Sequence, residues 1–182
     1  MSHSGYVLAG GLSRRMGRDK ARLPFRGATL VDAVTAAVRA AAGSATLVGR
    51  PAPGGIPDLY PGEGPLGGIL TALHHSTAEW SLITACDLPG ITPDLLSRLL
   101  AAARAAGDCD ALLPHAPGGL PEPLCAVYRR TALPHLEERF LLGVRKVTLA
   151  LEGLRVLHLE IGEREHFQNV NTPEDWAGYA AG

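Results

Sequence analysis

The sequence predicts an α/β fold, a mostly parallel sheet with helices on both faces. Three observations predict it. Short apolar runs of strand length recur along the chain; stretches with apolar residues at helical spacing lie between them; and glycine or Thr-Pro punctuation marks the joins.

The first run, "SGYVLAGG", reads as a buried strand from Tyr6 to Ala9 ending at a glycine pair. "LVDAVTAAVRAAA" follows with helical spacing, and Gly43 is its expected stop. "ATLVG", 45 to 49, is a second strand. "RPAPGGIPDLYPGEG" is too rich in proline and glycine for regular structure and reads as a loop. Gly64 followed by Pro65 opens a helix to about His75, because proline suits a first turn where its missing N–H has no bond to lose. "WSLITACD" is a third strand ending in Asp87. Thr92 then caps a helix with Pro93 at its first position, and Gly107 closes it. Downstream, "DALLP", "PLCAVY" and "LRVLHLEI" read as strands, "TALPHLEERFLL" and "VRKVTLAL" as helical, and "TPEDWAGYAA" as a C-terminal helix.

The length of 182 residues predicts one domain. A hydrophobic fraction of 46% with 19% charged residues fits a packed globular chain and argues against disorder. The net charge of -1 offers no electrostatic footprint for nucleic acid or for an anionic membrane. No apolar run approaches the roughly 20 residues that span a bilayer, and Ser2, His3 and Ser4 stand where a signal peptide would be basic and apolar, so a cytoplasmic location is expected. Cys86, Cys109 and Cys125 are odd in number and set in apolar surroundings, which predicts reduced, buried thiols.

In parallel sheets, ligands sit beyond the carboxyl ends of the strands. "VLAGGLSRRMGRDKA" lies at such an end. Gly10 and Gly11 let the backbone approach a ligand closely, and consecutive amides in a tight turn form a concave anion site. Arg14, Arg15, Arg18 and Lys20 add positive charge beside it, which points to phosphate. The chain has two lysines against fifteen arginines, so Lys20 stands out as a position suited to a compact point charge. Neither familiar phosphate motif is present: Gly17 is followed by Arg18 and Asp19 and not by the P-loop pair, and the GxGxxG at Gly62, Gly64 and Gly67 follows a loop instead of a strand. Asp87, directly after the apolar "LITAC", is placed to hold magnesium on nucleotide phosphates, an ion that takes one or two carboxylates with phosphate and water. His74 and His75 are adjacent and cannot face one metal from one helix, which leaves them a surface or helix-end role. An RNA-binding patch around Arg22 and Arg26 lacks interleaved aromatics apart from Phe25.

"LAGGLSRRMGRDKA", "GPLGGI", "CDLP", "PLCAVY" and "NVNTPEDW" occur in the order of the molybdenum cofactor guanylyltransferases, which the chain resembles from residue 8 to 176. The resemblance implies a Rossmann-like sheet of the nucleotide-diphospho-sugar transferase type, with a nucleotide-binding half at about 1–107 and an acceptor-binding half at about 108–182. It implies transfer of GMP from GTP to molybdopterin with Mg2+, releasing pyrophosphate. Leu8, Ala9, Gly10, Gly11, Lys20, Asp58 and Asp87 would contact nucleotide, Arg15, Lys20 and Asp87 would act in catalysis, Asp87 would hold the metal, and Asn169 and Asn171 would face the acceptor. Molybdenum cofactor insertion proteins or molybdoenzyme chaperones are the implied protein partners, with no nucleic acid and no membrane. The chain departs from the family at Gly49-Arg50, where an asparagine often stands. The competing readings are a cytidylyltransferase or sugar-1-phosphate nucleotidyltransferase on the same fold, and a non-catalytic nucleotide-binding module.

Overall fold

In the computed structural model, which describes residues 2–10, 24–25, 27–50, 53–162 and 164–168, the first apolar run forms strand β1 (His3–Leu8). A hairpin that the sequence reading did not anticipate follows, β2 (Pro24–Phe25) and β3 (Ala28–Thr29). Helix α1 (Leu30–Ala42) begins where Thr29 Oγ1 accepts the Asp32 N–H at 3.3 Å and ends at Gly43, whose φ of 71° suits glycine. Strand β4 (Thr46–Val48) is next. The loop expected to lack regular structure contributes a two-residue strand, β5 (Gly55–Ile56), because these residues keep their amides between Pro53 and Pro57 and can pair with β4.

Helix α2 (Pro65–His75) starts at proline as expected. Strand β6 (Trp80–Ala85) is buried at every residue and ends two residues before Asp87, which lies in the following turn. Helix α3 (Pro93–Ala106) is capped by Thr92, whose Oγ1 accepts the Leu95 N–H at 3.2 Å, and closed by Gly107. Strands β7 (Ala111–His115) and β8 (Cys125–Arg129), helices α4 (Leu133–Leu141) and α5 (Val147–Ala150), and strand β9 (Val156–Glu160) complete the described elements. Of "VRKVTLAL" only one turn is helical: Lys146 keeps an extended backbone before it and Gly153, at φ 96°, turns the chain after it. The expected C-terminal helix lies outside the described residues.

Seven strands form one sheet in the order β5-β4-β1-β6-β8-β7-β9. Every pairing is parallel except those of β8, which runs antiparallel to both β6 and β7. The period of two sends alternate residues to opposite cores. Val7, Leu82, Leu112 and Val127 meet α1 and α3 on one face; Tyr6, Ile83, Leu113 and Tyr128 meet α2, α4 and α5 on the other. Trp80 is fully buried, Cys109 and Cys125 are buried, and Cys86 is half-buried, and none of the three cysteines is in a disulfide. His74 pairs with Glu137 at 2.6 Å at the end of α2, and the neighbouring His75 ring meets the Tyr6 hydroxyl instead. Among the described residues, no helix is long and apolar enough to cross a membrane.

The far edge is fastened by Asp110. Its Oδ2 accepts the Arg155 N–H at 3.0 Å, its Oδ1 accepts the Thr131 hydroxyl at 3.3 Å, and its own N–H donates to Arg155 O at 2.8 Å. Burial alone would raise this carboxyl, but the hydrogen bonds and charge of Arg155, with Thr131, hold it below the usual aspartate range. A depressed folded-state pKa stabilises the fold above the unfolded value and ceases to do so as pH falls through the folded one. Asp110→Ala is therefore expected to cost about 1–3 kcal/mol near neutral pH. Urea denaturation should show the gap from wild type narrowing as pH falls below about 4, the unfolded aspartate value.

Candidate active site

Strand order reverses direction at β1: the chain moves outward to β4 on one side, then returns past β1 to β6 on the other. Such a reversal opens a crevice at the carboxyl ends of the strands. Backbone hydrogen bonds hold those ends together. Ala9 N–H donates to Val48 O at 3.0 Å, Cys86 N–H to Leu8 O at 3.1 Å, Gly49 N–H to Ile56 O at 2.9 Å, and Ala85 N–H to Leu124 O at 2.6 Å.

Leu8 and Ala9 are buried, and Gly10 emerges at the surface of this edge. Gly49, at φ 84°, is pressed against it: a Cβ at Gly49 would lie 2.6 Å from the Gly10 Cα and 2.9 Å from its amide nitrogen. No side chain fits there without moving the Gly10 backbone. This glycine–glycine contact brings the turn after β4 onto the end of β1.

Asp58 stands beside the same contact. A Cβ at Gly10 would be 3.8 Å from Asp58 Oδ2. The other carboxylate oxygen, Oδ1, is fixed by the Tyr60 N–H at 2.9 Å and the buried Thr71 hydroxyl at 3.0 Å, so α2 holds Asp58 in place. Thr71 Oγ1 also accepts the Leu59 N–H at 3.1 Å. One oxygen of Asp58 is thus committed to its own loop while the other faces the Gly10 edge.

Asp87 lies across β1 from this group. The parallel register sets Leu8 opposite Ala85 and Cys86 N–H donates to Leu8 O, so the turn carrying Asp87 leaves the sheet at the same edge as Gly10. Glu122, on the approach to β8, was not singled out from sequence. Its Oε1 accepts the Leu124 N–H at 3.0 Å and its own N–H donates to Pro114 O at 2.8 Å. Burial pushes the Glu122 carboxyl above the usual range, the Leu124 N–H partly offsets this, and the charge of Asp87 adds to the rise. The available signal was a carboxylate between Pro121 and Pro123 directly before an apolar strand.

The edge therefore gathers Leu8, Ala9, Gly10, Asp58 and Asp87 from the expected set and adds Gly49, Thr71 and Glu122. Gly11, Arg15, Lys20, Asn169 and Asn171 lie outside the described residues. The His166 ring donates from Nδ1 to Gly90 O at 2.6 Å, which joins the segment before Asn169 to the turn carrying Asp87. Among the described residues no three His, Cys, Asp or Glu side chains converge as a metal cage. The donor at Asp87 is a hard carboxylate oxygen, chemistry that fits magnesium held jointly with phosphate and water.

Residues 5–155 match the family model for the MobA-like NTP transferase domain. The chain is 36% identical over 178 residues to a probable molybdenum cofactor guanylyltransferase of Deinococcus radiodurans, with 94% of this chain and 90% of that protein covered. It is 33% identical over 182 residues to a molybdenum cofactor guanylyltransferase of Xanthomonas euvesicatoria, covering 96% and 92%. Its fold matches the crystal structure of molybdopterin-guanine dinucleotide biosynthesis protein A from Archaeoglobus fulgidus with a TM-score of 0.82 and 31% identity, over 96% of this chain and 95% of that one.

Proposed function

The chain belongs to the MobA-like NTP transferase family, and from that premise we propose that it transfers GMP from GTP to molybdopterin, giving molybdopterin guanine dinucleotide and pyrophosphate. It is a nucleotidyltransferase of molybdenum cofactor biosynthesis. The observation that carries the site reading is the meeting of the Gly10 loop, Asp58 and Asp87 at one switch-point edge.

In the reaction, an oxygen of the acceptor's terminal phosphate forms a bond to the α-phosphorus of GTP as the bond from that phosphorus to the α,β-bridging oxygen breaks. The electron pair leaves with pyrophosphate. The nucleophile is already anionic, so no general base is needed, and the chain works by positioning and charge stabilisation. Leu8, Ala9, Gly10 and Gly11 seat the nucleotide with their backbone, and Asp58 borders that seat. Arg15 and Lys20 neutralise charge on the triphosphate and on departing pyrophosphate; a lysine can set its point charge between phosphate groups. Asp87 would hold Mg2+, which would supply positive charge to draw on the α-phosphate and make it more electrophilic. Asn169 and Asn171 contribute to acceptor binding. The nucleotide is handled by residues of about 1–107 and the acceptor by about 108–182, both on one domain. Molybdenum cofactor insertion proteins or molybdoenzyme chaperones receive the product, in the cytoplasm.

Calorimetric titration with GTP and with CTP, each with Mg2+ and no acceptor, tests the base preference. GTP is expected to bind at least about tenfold more tightly, a difference of about 1.4 kcal/mol. Tighter binding of CTP would assign the chain to cytidylyl transfer.

A further inference from the structure

The chain between Asp58 and α2 is an exposed loop. Leu59 and residues 61–65 face solvent, and Pro57, Pro61 and Pro65 supply no amide hydrogen to hold it. Its inner side is seated on the first turn of α2. Glu63 N–H donates to Tyr60 O at 3.2 Å, and a Cβ at Gly67 would lie 2.9 Å from Tyr60 Cβ, so a glycine there lets the loop lie this close. Its outer side is held by Arg145, in the link between α4 and α5, 82 residues further along the chain.

The Arg145 guanidinium is engaged on three sides. Nε donates to Glu63 Oε2 at 2.6 Å, Nη1 donates to Phe140 O at 2.8 Å and to Val144 O at 3.1 Å, and its central carbon stands 4.0 Å from the Phe140 ring centroid. The buried Phe140 ring in turn meets the Tyr60 ring, centroid to centroid at 4.7 Å. Arg145 therefore reaches the loop twice, through Glu63 and through the Phe140–Tyr60 ring pair. Tyr60 is the residue whose N–H fixes Asp58 Oδ1 at 2.9 Å, which leaves Asp58 Oδ2 turned to the Gly10 edge.

An exposed ion pair contributes about 0–1 kcal/mol to a fold, so stability is a small part of what this contact does. A guanidinium already oriented by two carbonyls and a ring loses little further freedom on taking Glu63, and it sets where the loop stands. A lysine could pair with Glu63 but has no planar group to lay over Phe140.

We propose that Arg145 is a positioning residue of the nucleotide seat: it holds the 59–63 loop from the half of the chain read as acceptor-binding and, through Tyr60, keeps Asp58 at the Gly10 edge. The inference rests on the reading of Asp58 as a border of that seat.

The test is calorimetric titration of GTP, with Mg2+ and no acceptor, into the full chain, Arg145→Ala, Asp58→Ala and the double variant. Arg145→Ala is expected to bind GTP about fivefold more weakly, the scale of an exposed ion pair lost together with a cation–π contact. In the Asp58→Ala background the same change should add less than about twofold, because groups that act through one another are not additive. A general loss of stability would not vanish with Asp58. Glu63→Gln, with and without Asp58→Ala, supplies the same comparison by removing only the charge that Arg145 engages. It should weaken GTP binding in the Asp58 background and not without it. Unchanged GTP affinity in Arg145→Ala, wild-type affinity in Asp58→Ala, or a full fivefold loss persisting without Asp58 would each overturn the inference and leave GMP transfer standing. Failure of the unaltered chain to bind GTP would instead overturn both.

Discussion

Asp87→Ala is expected to lower turnover with GTP and molybdopterin about 100-fold or more, the scale on which enzymes lose rate when one transition-state charge partner is removed. The residue stands two positions past the end of β6, in the turn that leaves the sheet at the same edge as Gly10. Its backbone neighbours are fixed, since Cys86 N–H is bonded to Leu8 O at 3.1 Å, so truncation removes a carboxylate from an edge that keeps its shape. The loss should fall on turnover far more than on stability. Steady-state kinetics with a parallel thermal melt separates the two: a large fall in kcat with a melting temperature close to wild type is expected. Near-wild-type turnover would remove Asp87 from the mechanism.

Gly49→Ala is expected to be as damaging for a different reason. The added Cβ would sit 2.6 Å from Gly10 Cα on a backbone already at φ 84°. The conformation itself costs about 1–3 kcal/mol for a residue other than glycine, and relief of the clash requires the Gly10 backbone to move. A displacement of about 1 Å in a positioning element can cost about 100-fold in rate. Gly54→Ala supplies the comparison. Its φ of 77° is similar, yet a Cβ there meets nothing within 4 Å. It should lose some stability and keep its activity. Kinetics and urea denaturation on the pair would show whether the Gly10–Gly49 contact, and not left-handed backbone in general, governs the site.

Much of this architecture was legible in the sequence because its signals are local. Thr92-Pro93, Gly64-Pro65 and Gly43 mark helix ends through chemistry confined to one turn, and all three stand where expected. The apolar runs identified the main strands for the same reason. The antiparallel direction of β8 was not legible, since an apolar strand buried on both faces reads alike in either direction. Strands β2, β3 and β5 are two residues each, too short to show a period. In the site, Asp87 drew notice as a carboxylate directly after an apolar run, and Asp58 entered only through the resemblance, as the aspartate before "GPLGGI". Glu122 was not found, because its place at the edge depends on the turn before β8 and on its bond to Pro114 O, and only "PEP" marks it in the sequence. The role of Gly49 was hidden likewise, because its contact is with the Gly10 backbone of a separate strand and leaves no local trace in sequence.

The most direct test of GMP transfer is product formation. The purified protein would be incubated with GTP, Mg2+ and molybdopterin, and the mixture resolved by chromatography for molybdopterin guanine dinucleotide, with pyrophosphate measured in parallel. The account predicts dinucleotide and pyrophosphate in equal amounts with GTP and a much lower yield when CTP replaces it. Pyrophosphate and a cytosine dinucleotide from CTP, with none from GTP, would contradict it.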